Sequence, residues 1–75
     1  MRTEFDYLMR ADTLITDLET KGYRVYADRY GGIMVKGPGT TAVYNNFNEY
    51  EGRHDGERLL LQAEAIYEEL GLQLL

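Results

Sequence analysis

Lys21-Gly22-Tyr23-Arg24-Val25-Tyr26-Ala27-Asp28 is the stretch in which the chain changes its period. Before it, Phe5, Leu8, Ala11, Leu14 or Ile15, and Leu18 recur every three or four residues, the spacing of one face of a helix. From Tyr23 the apolar positions alternate. Tyr23, Val25 and Ala27 share one side of an extended chain, and Arg24, Tyr26 and Asp28 share the other. A helix that gives way to a strand across a single glycine must fold back on itself, so this junction predicts a helix packed against a sheet.

Upstream, Thr3 followed by Asp6 has the form of a capping box, in which each side chain satisfies a backbone N–H that the first helical turn leaves free. Lys21 suits the negative end of the helix dipole, and Gly22 can adopt the left-handed conformation that stops the helix. The first helix is thus expected over Thr3–Lys21. Downstream, Gly31-Gly32 supplies a turn and Ile33-Met34-Val35-Lys36 a partner strand. Gly37-Pro38-Gly39 breaks that strand, because proline has no N–H for a ladder. Thr40-Thr41-Ala42-Val43-Tyr44, rich in β-branched and aromatic residues, predicts a third strand with Val43 inward, unless a bulge near Gly39 reverses its faces. Residues 45–54 read as a polar loop anchored by Phe47 and Tyr50, and Asp55 as the cap of a second helix. There Leu59, Ala63, Ile66 and Leu70 form the stripe, flanked by Leu60 and Tyr67, and Gly71 ends it with Leu72 folding back. The expected fold is α+β, a single domain over residues 1–75 in the order α-β-β-β-α. A three-stranded antiparallel meander carries both helices on one face.

With 75 residues the chain has room for one small core, which supplies about 3–5 kcal/mol unaided. It has no cysteine, which removes disulfides and thiolate zinc sites. MRTEFDYLMR lacks the apolar segment of a signal peptide, and no apolar run has membrane length, so the expected location is cytoplasmic. The net charge of −5 is unevenly spread. Residues 1–22 carry three cations against five carboxylates, 23–47 three against one, and 48–75 two against seven. A negative chain is a poor generic ligand for phosphate backbones, which are bound by releasing counterions from positive surfaces. It suits a basic protein partner, although acidity also serves solubility alone.

Two surfaces follow. If the helices cover Tyr23, Val25, Ile33, Val35 and Val43, the open sheet face shows Arg24, Tyr26, Asp28, Met34, Lys36 and Tyr44. Such a face can stack bases, bind a partner's apolar patch, or simply stabilise a half-solvated sheet by cross-strand pairing. The second surface is acidic: Glu49, Glu51 and Asp55 before the last helix, then Glu57, Glu64, Glu68 and Glu69 on it. Catalytic groupings are missing. His54 in Gly52-Arg53-His54-Asp55-Gly56 reads as a solvated loop residue, no nucleophile has a base beside it, and neither glycine cluster fits a phosphate loop. No metal site and no cofactor are expected.

The order α-β-β-β-α, with Lys21-Gly22-Tyr23-Arg24-Val25-Tyr26 leading from helix to strand, resembles the layout of HicA-type toxins and double-stranded-RNA-binding folds. Those toxins cleave RNA with a histidine on the central sheet. The corresponding segment, Gly32-Ile33-Met34-Val35-Lys36-Gly37, has none, so the resemblance implies layout and not ribonuclease activity. In size, acidity and element order the chain also resembles small phage-encoded inhibitors, anti-CRISPR proteins among them. That resemblance implies occupation of a nucleic-acid-binding groove on a host complex.

The expected function is therefore a non-enzymatic protein-binding module, a small inhibitor or adaptor. Glu57, Glu64, Glu68 and Glu69, with the acidic loop, would engage a basic surface. The alternatives are single-stranded nucleic acid or an apolar patch on Arg24, Tyr26, Met34, Lys36 and Tyr44, or a homodimer through Leu72, Leu74 and Leu75.

Overall fold

A computed structural model describes residues 3–27, 32–39, 43–44 and 55–74. Helix α1 spans Glu4–Thr20 and begins with the expected capping box. Asp6 N donates to Thr3 Oγ1 at 3.2 Å, and Thr3 N donates to Asp6 Oδ2 at 3.0 Å. The helix stops at Gly22, whose φ is +97°. Gly22 N donates to Glu19 O and Tyr23 N to Leu18 O, both at 3.0 Å, so the last carbonyls find donors inside the turn. Helix α2, Asp55–Leu70, ends the same way. Gly71 has φ +72°, Gly71 N donates to Glu68 O at 3.1 Å, and Leu72 N donates to Tyr67 O at 2.9 Å. Asp55, expected as the cap, is already the first residue inside α2, and its Oδ1 accepts from Arg58 Nη2 at 2.7 Å.

Strands β1 (Arg24–Ala27) and β2 (Ile33–Lys36) pair antiparallel, with Arg24 opposite Lys36, Val25 opposite Val35, Tyr26 opposite Met34 and Ala27 opposite Ile33. On the far side of β2, Val43–Tyr44 (β3) pairs antiparallel with Val35 and Met34. The rest of the strand expected over 40–44, the polar loop with Phe47, Tyr50 and His54, and Asp28 lie outside the described residues. Gly37 is required by packing. A Cβ there would stand 2.1 Å from Cδ1 of Tyr23, whose ring lies on the glycine.

The two helices are bound together at both ends of their contact. Glu4 of α1 accepts a hydrogen bond from Gly56 N of α2, at a point so close that a Cβ on Gly56 would meet the Glu4 backbone oxygen at 3.1 Å. Two to three turns further on, Tyr67 of α2 donates to Leu14 O at 3.1 Å and also contacts Asp17 Oδ2 of α1. Both contacts advance in the same direction along both chains, so α1 and α2 run parallel. The same offset sets Ala11 beside Ala63, two fully buried small residues that let the helices approach. Leu14, Leu18, Ile33, Val35, Leu60, Ile66 and Tyr67 complete the core, and Tyr7, Tyr23, Val25, Leu59, Leu70 and Leu72 pack on its rim. Gln62 is fully buried with them.

Two of the expected core positions are corrected. Phe5 is 68 % exposed and Leu8 42 % exposed. The stripe that faces inward is Tyr7, Ala11, Leu14 and Leu18, turned away from Phe5 because α1 must meet α2 on one side and the sheet on the other. Among the described residues no helix is long and apolar enough to cross a membrane.

Tyr67 has one phenol proton for two acceptors, and Asp17 is the stronger because it carries charge. Lys21 Nζ lies 2.6 Å from the same carboxylate oxygen. The Asp17 carboxyl is held below its usual range, first by the Lys21 hydrogen bond and then by that of Tyr67, against an opposing effect of burial. The Tyr67 phenol is pushed well up, by burial first and by Asp17 second. The two shifts give opposite limbs of a stability profile. Asp17 favours the fold above its ordinary value of 3.8, and that contribution is lost as pH falls through the depressed folded value. Tyr67 favours the fold below its ordinary 10.0, and that contribution is lost as pH rises beyond it. Urea denaturation as a function of pH is expected to show both limbs, and Tyr67→Phe to flatten the alkaline one while costing about 1–2 kcal/mol at neutrality. In the same assay Leu14→Ala is expected to cost about 2–5 kcal/mol and Phe5→Ala less than about 0.5 kcal/mol, the reverse of equal core membership.

Candidate functional site

A helix advances about 100° per residue, so Glu57, Glu64 and Glu68 fall within about 40° of one another on α2. They form one stripe on the side away from Ile66, Ala63 and Leu70. Glu69 lies about 100° around the helix from Glu68 and belongs to the other flank. Glu68 and Glu69 are exposed, and Glu57 and Glu64 half-buried. Glu49 and Glu51 lie outside the described residues.

These carboxylates do not have equal local roles. Asp55 and Glu57 occupy the first turn of α2, where the positive end of the helix dipole favours them. Glu4, reaching across from α1, adds a third carboxylate to that helix end. Glu68 and Glu69 stand near the opposite end, where the dipole disfavours negative charge, and the last turn holds no basic residue. α1 repeats the pattern, with Glu19 in a last turn that also lacks a cation.

Beside the acidic stripe lies an open depression of about 480 Å³, lined by Leu61, Glu64, Ala65, Glu68, Leu72 and Leu74. Leu72 and Leu74, read from the sequence as spare apolar surface, differ in their use. Leu72 closes the end of α2 and packs on the core, whereas Leu74 is 43 % exposed. Leu75 lies outside the described residues. Leu61 and Ala65 were missed by the stripe argument. Their signal was the run Leu59-Leu60-Leu61, three adjacent leucines that cannot all face one side of a helix.

The opposite face of the molecule is the open side of the sheet. Ile33 and Val35 point into the core, and Arg24, Tyr26 and Lys36 are exposed while Met34 is half-buried. Tyr44 occupies the register position opposite Met34. A second open depression, of about 360 Å³, sits at the end of this face between Gly22, Arg24, Tyr26, Lys36, Gly37 and Pro38. The acidic stripe and the basic pair therefore lie on opposite layers. Among the described residues no group of three or more His, Asp or Glu side chains is placed to hold a metal ion. The chain matches no protein-family model, no curated protein and no solved structure.

Proposed function

We propose that the chain is a non-enzymatic protein-binding module, a small acidic inhibitor or adaptor, which docks α2 on a basic, nucleic-acid-binding surface of a partner protein. The observation that carries this reading is the depression rimmed by Glu64 and Glu68 and floored by Leu61, Ala65, Leu72 and Leu74. Of its rim charges, Glu68 sits in the last turn of α2, where the helix dipole penalises it, which speaks for selection by a partner rather than by stability. Apolar anchors beside carboxylates fit a partner surface in which Lys or Arg surrounds an exposed apolar side chain. The module acts from the cytoplasm and needs no cofactor.

The same proposal includes a complete three-stranded meander in the order α-β-β-β-α over a single domain. Parallel helices support it, because an odd number of reversing strands must then separate them, and Val43–Tyr44 pairs where the third would run.

The test is to capture a partner with the wild-type chain and compare association kinetics with the variant Glu57→Lys/Glu64→Lys/Glu68→Lys. Reversal is expected to slow association at least about tenfold at low salt and to flatten its salt dependence. Unchanged affinity would contradict the acidic mechanism. A concentration-dependent dimer in sedimentation, abolished by Leu74→Asp, would assign the depression to a second copy of the chain instead.

A further inference from the structure

Arg24 and Lys36 face each other directly across β1 and β2, an arrangement of like charges that weakens a sheet. The chain has carboxylates to spare, and elsewhere it uses them. Lys21 pairs with Asp17 and Arg58 with Asp55. Among the described residues neither Arg24 nor Lys36 has such a partner. An exposed, uncompensated pair of cations in an acidic protein is a local cost that a bound anion removes.

The surroundings define the anion. Tyr26 follows Arg24 by two residues on the same face, so the aromatic row lies about 6.6–6.8 Å along the strand from the cation row. Tyr26 is 41 % exposed, with Met34 as its cross-strand neighbour. The end of the depression is fixed in shape. Gly22 holds φ +97°, a Cβ added there would come within 3.8 Å of Pro38 Cγ, and the Tyr23 ring occupies the space a side chain at Gly37 would need. Gly22, Gly37 and Pro38 line the depression beside the two cations. Arg can grip a phosphate through two parallel N–H bonds, Lys adds a point charge, and a tyrosine ring offers a stacking platform.

We infer that this end of the sheet is a nucleotide-binding site, with Arg24 and Lys36 on a phosphate and Tyr26 stacked on its base. The ligand is a free nucleotide or one unit of a single strand; both present the same phosphate and base at this spacing. The site is separate from the α2 depression and does not depend on it.

Titration of the ¹⁵N-labelled chain with 5′-AMP, adenosine, inorganic phosphate and a single-stranded oligothymidylate tests the site by amide shifts. AMP or the oligonucleotide is expected to move the amides of residues 22–26, 36 and 37. Response to AMP alone assigns a free nucleotide, and response to the oligonucleotide alone assigns a strand. Arg24→Gln/Lys36→Gln is expected to weaken binding at least about tenfold, and Tyr26→Ala about fivefold. For the strand, log K is expected to fall with log salt at a slope of roughly −1.4, about 0.7 for each cation. Glu64→Gln/Glu68→Gln, on the other layer, is expected to leave these shifts unchanged whatever its effect on a protein partner. The inference is overturned if neither AMP nor the oligonucleotide moves these amides at millimolar concentration. It is equally overturned if the shifts survive in a folded Arg24→Gln/Lys36→Gln variant, or if inorganic phosphate binds as well as AMP with no effect of Tyr26→Ala.

Discussion

The contact of Tyr67 with the backbone and side chain of α1 sets how the two helices meet, and the sheet packs on the surface they then share. Its ring fills the core and its hydroxyl reaches Leu14 O and the Asp17 carboxylate. A phenol buried in this way has to find a partner, and only one rotation and one register of α2 supply both. With Glu4 accepting from Gly56 at the other end, the pair is held parallel. That register sets Ala11 beside Ala63 and presents the combined apolar surface to Ile33 and Val35.

Once the helices are held, the outer surfaces follow. The face of β1 and β2 that carries Arg24, Tyr26 and Lys36 is left open, and the stripe of Glu57, Glu64 and Glu68 points away from the core. Positive and negative charge are thereby separated onto opposite layers of a chain whose net charge is −5. Each patch carries a local cost. Glu68 opposes the dipole of its own helix although Glu57 suits it, and Arg24 and Lys36 oppose each other. Features that cost stability locally, in a domain with so small a core, are where binding is to be sought.

Much of this was legible in the sequence because the signals are local. Thr3 with Asp6, and the glycines at 22 and 71, mark helix ends through backbone chemistry that needs no tertiary context. The alternation around Tyr23–Ala27 and Ile33–Lys36 likewise placed Arg24, Tyr26 and Lys36 on the open face. What the pattern left undecided was the rotation of α1. Phe5 and Leu8 are as periodic as Tyr7 and Leu14, and only the demands of α2 and the sheet together choose between the two sets. The link from Glu4 to Gly56 was illegible for a similar reason, since it joins residues 52 positions apart through a backbone N–H. The depression around Leu61 and Ala65 was hidden because these residues lie off the inward stripe that helical periodicity marks.

The parallel register of the two helices is read out by nuclear Overhauser contacts. Contacts are expected from the Tyr67 ring to protons of Leu14 and Asp17, together with contacts from the Gly56 amide to Glu4. An observed set joining Tyr67 to Glu4 or Phe5, and Gly56 to Asp17 or Leu18, would mean antiparallel helices and would overturn this fold.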